Sequence, residues 1–319
     1  MLYRRLGPTG LPVSALALGT WLTFGESIER GVARDLVATA WDAGINLFDS
    51  AENYAQGRGE TVLGDVIADL RLPRDGYALV GKAMHGSVAE PRPMQRGLTR
   101  KHLLDACNAS LKRLRTDYLD IFLCHRPDPE VPLVETVAAM DLLVRQGKVL
   151  HWGSSEWPAD LLMQARALAM QAGMQPPQVE QVRYNLLHRA HVEDELASMA
   201  NEWGLTTYAP LASGVLSGKY AQSDAPGRLG RAELGWLRER ELTEARAAQA
   251  ARFVEVARTL DAEPAALAIA WCLRNPAVSS VILGASRVEQ LRQNLSALAL
   301  LERVGAEDWA RIEGVFAKG

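Results

Sequence analysis

The chain has 319 residues, of which 48% are hydrophobic, so it can bury a large core. Its formal net charge of −3 gives no overall basic field, and no run of like charges reads as a tail, so a nucleic-acid partner is not expected. The longest apolar stretches, about ten residues, are too short to cross a bilayer, and Met1–Arg5 lacks the apolar core of a signal peptide.

The cysteines argue for a reducing compartment. Cys107, Cys124 and Cys272 are odd in number and form no CxxC pair. Without an export signal, reduced thiols in the cytoplasm fit best, and the His and Cys spacing matches no zinc-ligand pattern. We therefore expect a cytoplasmic protein with no metal site; its oligomeric state stays open, and a homo-oligomer is compatible with the sequence.

Short strand-like runs alternate along the chain with longer segments of helical apolar spacing. The chain opens with the strand-like run 3–7 and a turn at 8–10. Eight further runs are predicted to be strands: 15–18, 45–48, 77–80, 118–123, 149–152, 178–182, 205–208 and 279–283. Helices are predicted at 31–43, 60–70, 99–114, 134–146, 159–172, 191–203, 244–260, 264–275, 288–300 and 306–316.

Eight strand–helix units without a linker predict a (β/α)8 barrel, also called a TIM barrel, as a single domain over residues 1–319. An N-terminal hairpin and extra helices near the C-terminus complete the predicted fold. The polar insert 219–242 is too long for an ordinary loop and is predicted to be functional or mobile. A doubly wound sheet is the alternative. Residues 57–62 start like its G-x-G-x-x-G fingerprint, but Val62 replaces the third glycine and no strand precedes it.

Three consecutive predicted strands lead into titratable residues. Asp49, Lys82 and His125 follow them, and Tyr54 lies five residues after Asp49. Neighbouring parallel strands are about 5 Å apart, so these side chains would meet at the barrel face that carries active sites. Each residue alone also fits an ordinary role in packing, solvation or capping. Together they favour a site that reduces a carbonyl group.

The sequence also contains a set of motifs in a familiar order. They are Gly19-Thr20-Trp21, Phe48–Tyr54, Gly81-Lys82, His125–Asp128, Gly153–Ser155, Glu180–Asn185, Tyr208–Ala212 and Gly284–Ser286. With them the chain resembles the aldo-keto reductase superfamily over nearly its whole length, most closely the branch of potassium-channel β subunits and their bacterial relatives. The resemblance implies a barrel that binds NADPH across its C-terminal mouth.

The resemblance also implies the catalytic roles. Tyr54 would be the general acid, Lys82 and Asp49 would tune it, and His125 would orient the carbonyl. Because a free phenol has a pKa of ~10, we expect the Lys82 ammonium to favour the phenolate and ease proton release. Together with Trp21 and Arg126, Tyr54 and His125 would line the substrate pocket. Trp152 and Trp157, which flank strand ends, are further candidate walls.

The segment after the last strand predicts a phosphate site. Gly284 lets a phosphate approach the backbone closely, Ser286 can cap the next helix, and Arg287 adds a positive charge. An ordinary capped helix is the alternative. By resemblance, the adenine would lie on Gln290 and Asn294, the nicotinamide amide on residues 154, 155 and 181, and the pyrophosphate on the loop after residue 208. Arg228 or Arg231 would cover the cofactor, unless the insert is only a solvated loop. The predicted cofactor set is Thr20, Trp21, Asp49, Ser154, Ser155, Gln181, Tyr208, Ala209, Pro210, Leu211, Ala212, Ser213, Gly214, Lys219, Arg228, Gly284, Ser286, Arg287, Gln290, Gln293 and Asn294.

The expected function is NADPH-dependent reduction of aldehydes or reactive ketones to alcohols, with small electrophiles or aromatic aldehydes as substrates by resemblance. The alternative is a cofactor-binding regulatory subunit that reports redox state to a protein partner. By resemblance, channel β subunits usually carry Asn where this chain has His125, which favours turnover. The physiological substrate and the direction of reaction do not follow from the sequence.

Overall fold

A closed barrel of eight parallel strands forms the centre of the molecule, in a computed structural model that describes residues 1–199, 202–220 and 228–317, with Arg228 described by its backbone alone. The strands are β1 Tyr3–Arg5, β2 Pro12–Ser14, β3 Leu16–Gly19, β4 Leu47–Asp49, β5 Ala78–Ala83, β6 Leu119–Cys124, β7 Val149–Ser155, β8 Val179–Arg183, β9 Gly204–Tyr208 and β10 Val278–Leu283. Strands β3 to β10 follow one another around the barrel, and β10 closes it against β3. The predicted barrel and N-terminal hairpin are confirmed.

The helices surround the barrel. They are α1 Arg30–Asp42, α2 Arg58–Leu70, α3 Arg100–Leu114, α4 Leu133–Arg145, α5 Ala159–Gln171, α6 Gly235–Glu241, α7 Glu244–Thr259, α8 Pro264–Arg274, α9 Val288–Leu295, α10 Ala297–Arg303 and α11 Ala306–Phe316. Thr99 caps α3 as predicted, by accepting a hydrogen bond from the His102 N–H. No helix in the described part of the chain has the length and apolar character to cross a membrane.

Two apolar cores hold these layers together. The larger one lies between the strands and the helices, and it contains the buried Trp152 and Trp157. The smaller one fills the barrel interior with side chains such as Leu47 and Ile121. Leu6 and Val13 from the N-terminal hairpin join this inner core, so the hairpin covers one end of the barrel. The opposite end, where the strands finish, is left for a site.

Arg4 connects the two ends of the chain. Its guanidinium donates to the carbonyl oxygens of Leu273 at 2.7 Å, Asn275 at 3.3 Å and Val278. These carbonyls lie at the end of α8 and the start of β10, next to the seam where β10 pairs with β3. The N-terminal hairpin is therefore fixed to the last strand of the barrel.

The prediction of regular helices was wrong at two places. In the predicted helix 191–203, the Leu196 N–H bonds to the His191 oxygen five residues back, and the next turn is tighter, with Met199 bonding to Leu196. The apolar side chains are still buried, while the Glu193 carboxylate accepts from the Tyr184 hydroxyl at 2.7 Å, so tertiary contacts replace the regular ladder.

The predicted helix 288–300 divides into α9 and α10 at Ser296. The Ser296 hydroxyl donates to the Gln293 oxygen at 2.7 Å and its N–H bonds to the same oxygen at 3.2 Å. A serine that hydrogen-bonds locally in this way competes with the helix ladder. The short helix α6 within the insert was not predicted; its buried Leu237 and Glu241 face the barrel layer.

Candidate active site

A buried lysine connects the ends of β4 and β5. The Lys82 ammonium donates to Asp49 Oδ1 at 2.6 Å, to the Ser50 oxygen at 2.7 Å and to the Tyr54 hydroxyl at 3.4 Å. Asp49 Oδ2 in turn accepts from Gln181 Nε2 at 2.9 Å. Lys82 is fully buried and Asp49 is 3% exposed, so carboxylate, ammonium and phenol form one continuous chain at the barrel mouth.

Burial changes the proton affinities of this chain. It lowers the pKa of Lys82, against the raising effect of Asp49. The pKa of Tyr54 lies well above the ordinary value, because of burial first and the Asp49 charge second, with Arg126 acting against them. The net shift is therefore opposite to the acidification expected from Lys82, because burial and the Asp49 charge dominate. The Tyr54 hydroxyl keeps its proton at neutral pH, which a general acid requires.

His125 lies beside Tyr54 at the end of β6. The two ring centroids are 5.8 Å apart with an interplanar angle of 73°, and the His85 ring is 5.1 Å away on another side. Burial, followed by the charges of Lys82 and Arg126, keeps the pKa of His125 well below its ordinary value. Its Nδ1 is buried without a hydrogen-bond partner among the described residues. A neutral ring with its proton on Nε2 avoids an unpaired buried N–H group, so Nε2 is the available donor.

The predicted amide-binding residues lie at the same face but are engaged with the protein. The Ser154 hydroxyl donates to Glu180, whose other oxygen accepts the Trp157 N–H at 3.0 Å. Burial raises the pKa of Glu180 to about 8. Gln181 uses its Nε2 on Asp49, which leaves its amide oxygen for a ligand. The Thr20 hydroxyl donates to Ser50 at 2.9 Å.

Arg126 and Tyr208 occupy the pocket rim. Arg126 Nη1 donates to the His125 carbonyl and, at 3.0 Å, to Ser155 Oγ, while Nη2 lies 3.4 Å from the Tyr208 hydroxyl. Burial first, and then Glu156, to which its hydroxyl is hydrogen-bonded, raise the pKa of Tyr208 to about 12. Arg126 and Tyr208 are half-buried, as is Trp21, so all three border solvent at the mouth.

The loop after β9 has the backbone shape of an anion site. Ala209, Ala212, Ser213 and Gly214 all have positive φ, at 52°, 44°, 58° and 99°. A turn of this kind can bring N–H groups to one side as a concave anion-binding surface; here the Ala212 and Gly214 N–H groups donate to the Ala209 and Leu211 oxygens, which leaves the other N–H groups of the loop for a ligand. A Cβ on Gly214 would lie 2.6 Å from Nζ of Lys219, so this ammonium is folded over the loop. Pro210 and Leu211 complete the segment for which a pyrophosphate is predicted.

The segment after β10 differs in detail from its prediction. Helix α9 begins at Val288 with Arg287 as its N-cap residue and no side-chain cap, so the expectation that Ser286 caps it is wrong. Instead, Gln290 Oε1 accepts both the N–H and the hydroxyl of Ser286, each at 3.0 Å. The longer Gln side chain reaches back from the first turn and satisfies these donors. Gly284, Ser286 and Arg287 remain exposed around the free N-terminus, which suits a phosphate.

The remaining predicted cofactor residues are spread around this helix and the insert. Asn294 is buried on α9, one turn after Gln290, whereas Gln293 is exposed. Arg231 donates to Glu26 at 2.8 Å, which connects the insert to the loop after β3. The side chain of Arg228 lies outside the described residues, so its predicted role over the cofactor stays a prediction.

Sequence reasoning missed three residues near the site. Glu52 is buried and accepts from the Met84 and Gly86 N–H groups, both at 2.8 Å, and it lies 3.1 Å from His102 Nε2. It ties the loop that carries Tyr54 to the loop after β5. No partner was predicted for His102 or His85. The only sequence signals were that His102 follows the helix cap Thr99 and that His85 follows the end of β5. Trp152 and Trp157 were wrong as pocket walls, because both pack between strands and helices.

Comparison with known proteins agrees with this geometry. The sequence model of the Aldo/keto reductase family matches residues 15–317. One relative, the probable voltage-gated potassium channel subunit beta of Oryza sativa subsp. japonica, is 40% identical over 319 residues, which covers 99% of this chain and 96% of that protein. Aldo/keto reductases are oxidoreductases that generally use NAD(P)H. With its eight-stranded barrel and this match over nearly its whole length, the chain belongs to the aldo/keto reductase family.

Proposed function

We propose that this protein reduces aldehydes or reactive ketones to alcohols with NADPH, in the cytoplasm. One observation carries the proposal: the Lys82 ammonium lies between Asp49 at 2.6 Å and the Tyr54 hydroxyl at 3.4 Å, beside the neutral His125. A protonated phenol, a paired cation and an imidazole N–H donor in one pocket are the groups that a developing alkoxide needs.

Each side chain has a distinct part in this proposal. NADPH supplies the hydride to the carbonyl carbon when it is bound. Tyr54 gives its proton to the carbonyl oxygen, and Lys82 stabilises the phenolate that remains. His125 donates from Nε2 to the same oxygen and so orients the substrate. Asp49, fixed by Gln181, keeps Lys82 charged although burial disfavours the ammonium.

The cofactor assignment rests on the residues around the mouth. The positive-φ loop 209–214 with Lys219 would hold the pyrophosphate. The exposed N-terminus of α9 with Arg287 would hold the 2′-phosphate that distinguishes NADPH from NADH. Gln290 and Asn294 would bind the adenine, and Ser154, Ser155 and Gln181 would bind the nicotinamide amide.

The test is a turnover assay. Purified protein would be given NADPH and a panel of aldehydes and ketones, and loss of NADPH absorbance would be followed. We expect turnover by the native protein and loss of nearly all of it in Tyr54→Phe, with NADPH binding changed by no more than a few-fold. Tyr3→Phe, at an exposed tyrosine on β1, is the matched control. If Tyr54→Phe kept a large share of kcat on a simple aldehyde, Tyr54 would not be the acid.

A second candidate is a cofactor-binding subunit that reports redox state to a protein partner. The relative from Oryza sativa subsp. japonica, a probable voltage-gated potassium channel subunit beta, supports it. The site itself supports turnover instead, since His125 adds a second donor beside Tyr54 and Lys82. Tight NADPH binding without reduction of any carbonyl in the panel would favour the regulatory subunit.

A further inference from the structure

Arg126 differs from three arginines that pair with carboxylates around the barrel, and from Arg4, which donates to three carbonyl oxygens at the opposite end. Arg74 and Arg113 each bind a carboxylate, at 2.6 and 2.7 Å, and Arg183 pairs with Glu241. Arg126 is half-buried at the end of β6, yet none of the described residues forms an ion pair with it. A half-buried cation without a carboxylate partner is an electrostatic cost unless a ligand supplies the negative charge.

The hydrogen bonds of Arg126 leave one edge of its guanidinium open. Of five N–H donors, three are used: Nη1 donates to the His125 oxygen and to Ser155 Oγ, and Nη2 lies near the Tyr208 hydroxyl. The two that remain are one N–H on Nε and one on Nη2, which are adjacent nitrogens of the guanidinium. Two parallel donors of this kind match the two oxygens of a carboxylate.

The charge of Arg126 acts on the reacting groups. It lowers the pKa of Tyr54, Lys82, His85 and His125. An anion bound to Arg126 therefore lies within electrostatic range of the carbonyl that Tyr54 and His125 would hold. Two carboxylates lie near this rim, and both have other partners. Glu180, on whose pKa Arg126 acts, accepts from Ser154 and from the Trp157 N–H, while Glu156 is hydrogen-bonded to the Tyr208 hydroxyl and accepts the Arg183 N–H at 2.6 Å.

We propose that Arg126 binds a carboxylate on the substrate, so that the preferred substrates are aldehydes or ketones that also carry a carboxylate, that is, oxo acids. The inference rests on the proposed reductase function and adds the substrate class to it. The competing role for Arg126 is to position Ser155 for the nicotinamide amide, in which case it would affect all substrates equally.

The experiment compares each acid with its neutral counterpart. We would measure kcat/KM for ω-oxo carboxylic acids of increasing chain length and for their methyl esters. Native protein should prefer the acid by about ten- to hundred-fold at one chain length, the range for a charged hydrogen bond. Arg126→Met should lower the acid-to-ester ratio by that factor, whatever it does to the ester, and Arg126→Lys should keep part of it. Arg34→Met, exposed on α1, controls for the change in net charge.

Each other outcome overturns a specific statement. If the native protein reduces esters and acids equally at every chain length, the inference is wrong and the reductase function stands. If Arg126→Met lowers both rates by one factor and raises the KM for NADPH, Arg126 acts through the cofactor site and binds no carboxylate. If no carbonyl compound is reduced at all, the proposed function is wrong and this inference is wrong with it.

Discussion

Breaking the ion pair between Lys82 and Asp49 should be among the most destabilising single changes in this protein. Lys82→Met would leave the Asp49 charge buried with only the Gln181 amide as a partner. Removing one member of a buried pair costs about 3–5 kcal/mol. Unfolding entropy of about 2.1 cal/mol/K per residue gives about 0.7 kcal/mol/K for this chain, so Tm should fall by about 4–7 °C.

An exposed pair with the same geometry provides the control. Lys101 lies 2.6 Å from Asp105, the same distance as between Lys82 and Asp49. The side chains of Lys101 and Asp105 are 59% and 60% exposed, whereas those of the buried pair are 0% and 4% exposed. Lys101→Met should therefore cost less than about 1 kcal/mol.

Thermal unfolding followed by circular dichroism would measure Lys82→Met, Lys101→Met, Asp49→Asn and the double change Asp49→Asn/Lys82→Met. The double change should be less destabilising than the sum of the two single ones, by about 1–3 kcal/mol. Equal losses at Lys82 and Lys101, or additive losses at Lys82 and Asp49, would refute the reasoning from burial.

Three further predictions concern catalysis, cofactor choice and pH. Tyr54→Phe and Lys82→Met should each reduce kcat/KM strongly and should not add in the double variant, because they act as one unit; multiplied losses would contradict this. Arg287→Ala should weaken NADPH binding by about one to two decades and leave NADH nearly unchanged, as measured by cofactor fluorescence; equal weakening would place Arg287 elsewhere. Since the pKa of Glu180 is raised from 4.5 to about 8, the folded state binds the extra proton, and stability is lost as pH rises through that range. Glu180→Gln should remove this decline, which is at most ~1.4 kcal/mol per pH unit, and parallel unfolding profiles would refute it.

The barrel could be predicted because its pattern is local. Every predicted barrel strand lies within two residues of an observed one at its start, since short apolar runs report burial on both faces. The two mispredicted helices depend on side-chain hydrogen bonds, from Ser296 to Gln293 and from Tyr184 to Glu193, which interrupt or replace the regular helical hydrogen bonds. The spacing of apolar residues carries no information on such contacts.

The candidate site could be predicted in position but not in chemistry. Strand ends located Asp49, Lys82 and His125 at one face, and the structure brings them together. A lower pKa was predicted for Tyr54, but the structure raises it. The direction depends on the burial of the phenol and on the position of Asp49, which the sequence does not give. The start of α9 was likewise mispredicted. Ser286 donates to Gln290 instead of capping the helix, and this contact depends on the rotamer of the Gln290 side chain.

The junction of the first and last barrel strands has a consequence for biosynthesis. Leu18 pairs with Leu283, and Arg4 binds carbonyls that begin at Leu273. At about 5–20 residues per second, the ribosome needs roughly 10–50 s to make the chain between these partners. During that interval one edge of β3 has no neighbour and is open to pairing with other chains. The yield of folded protein should therefore depend on translation speed and on chaperones that shield this edge.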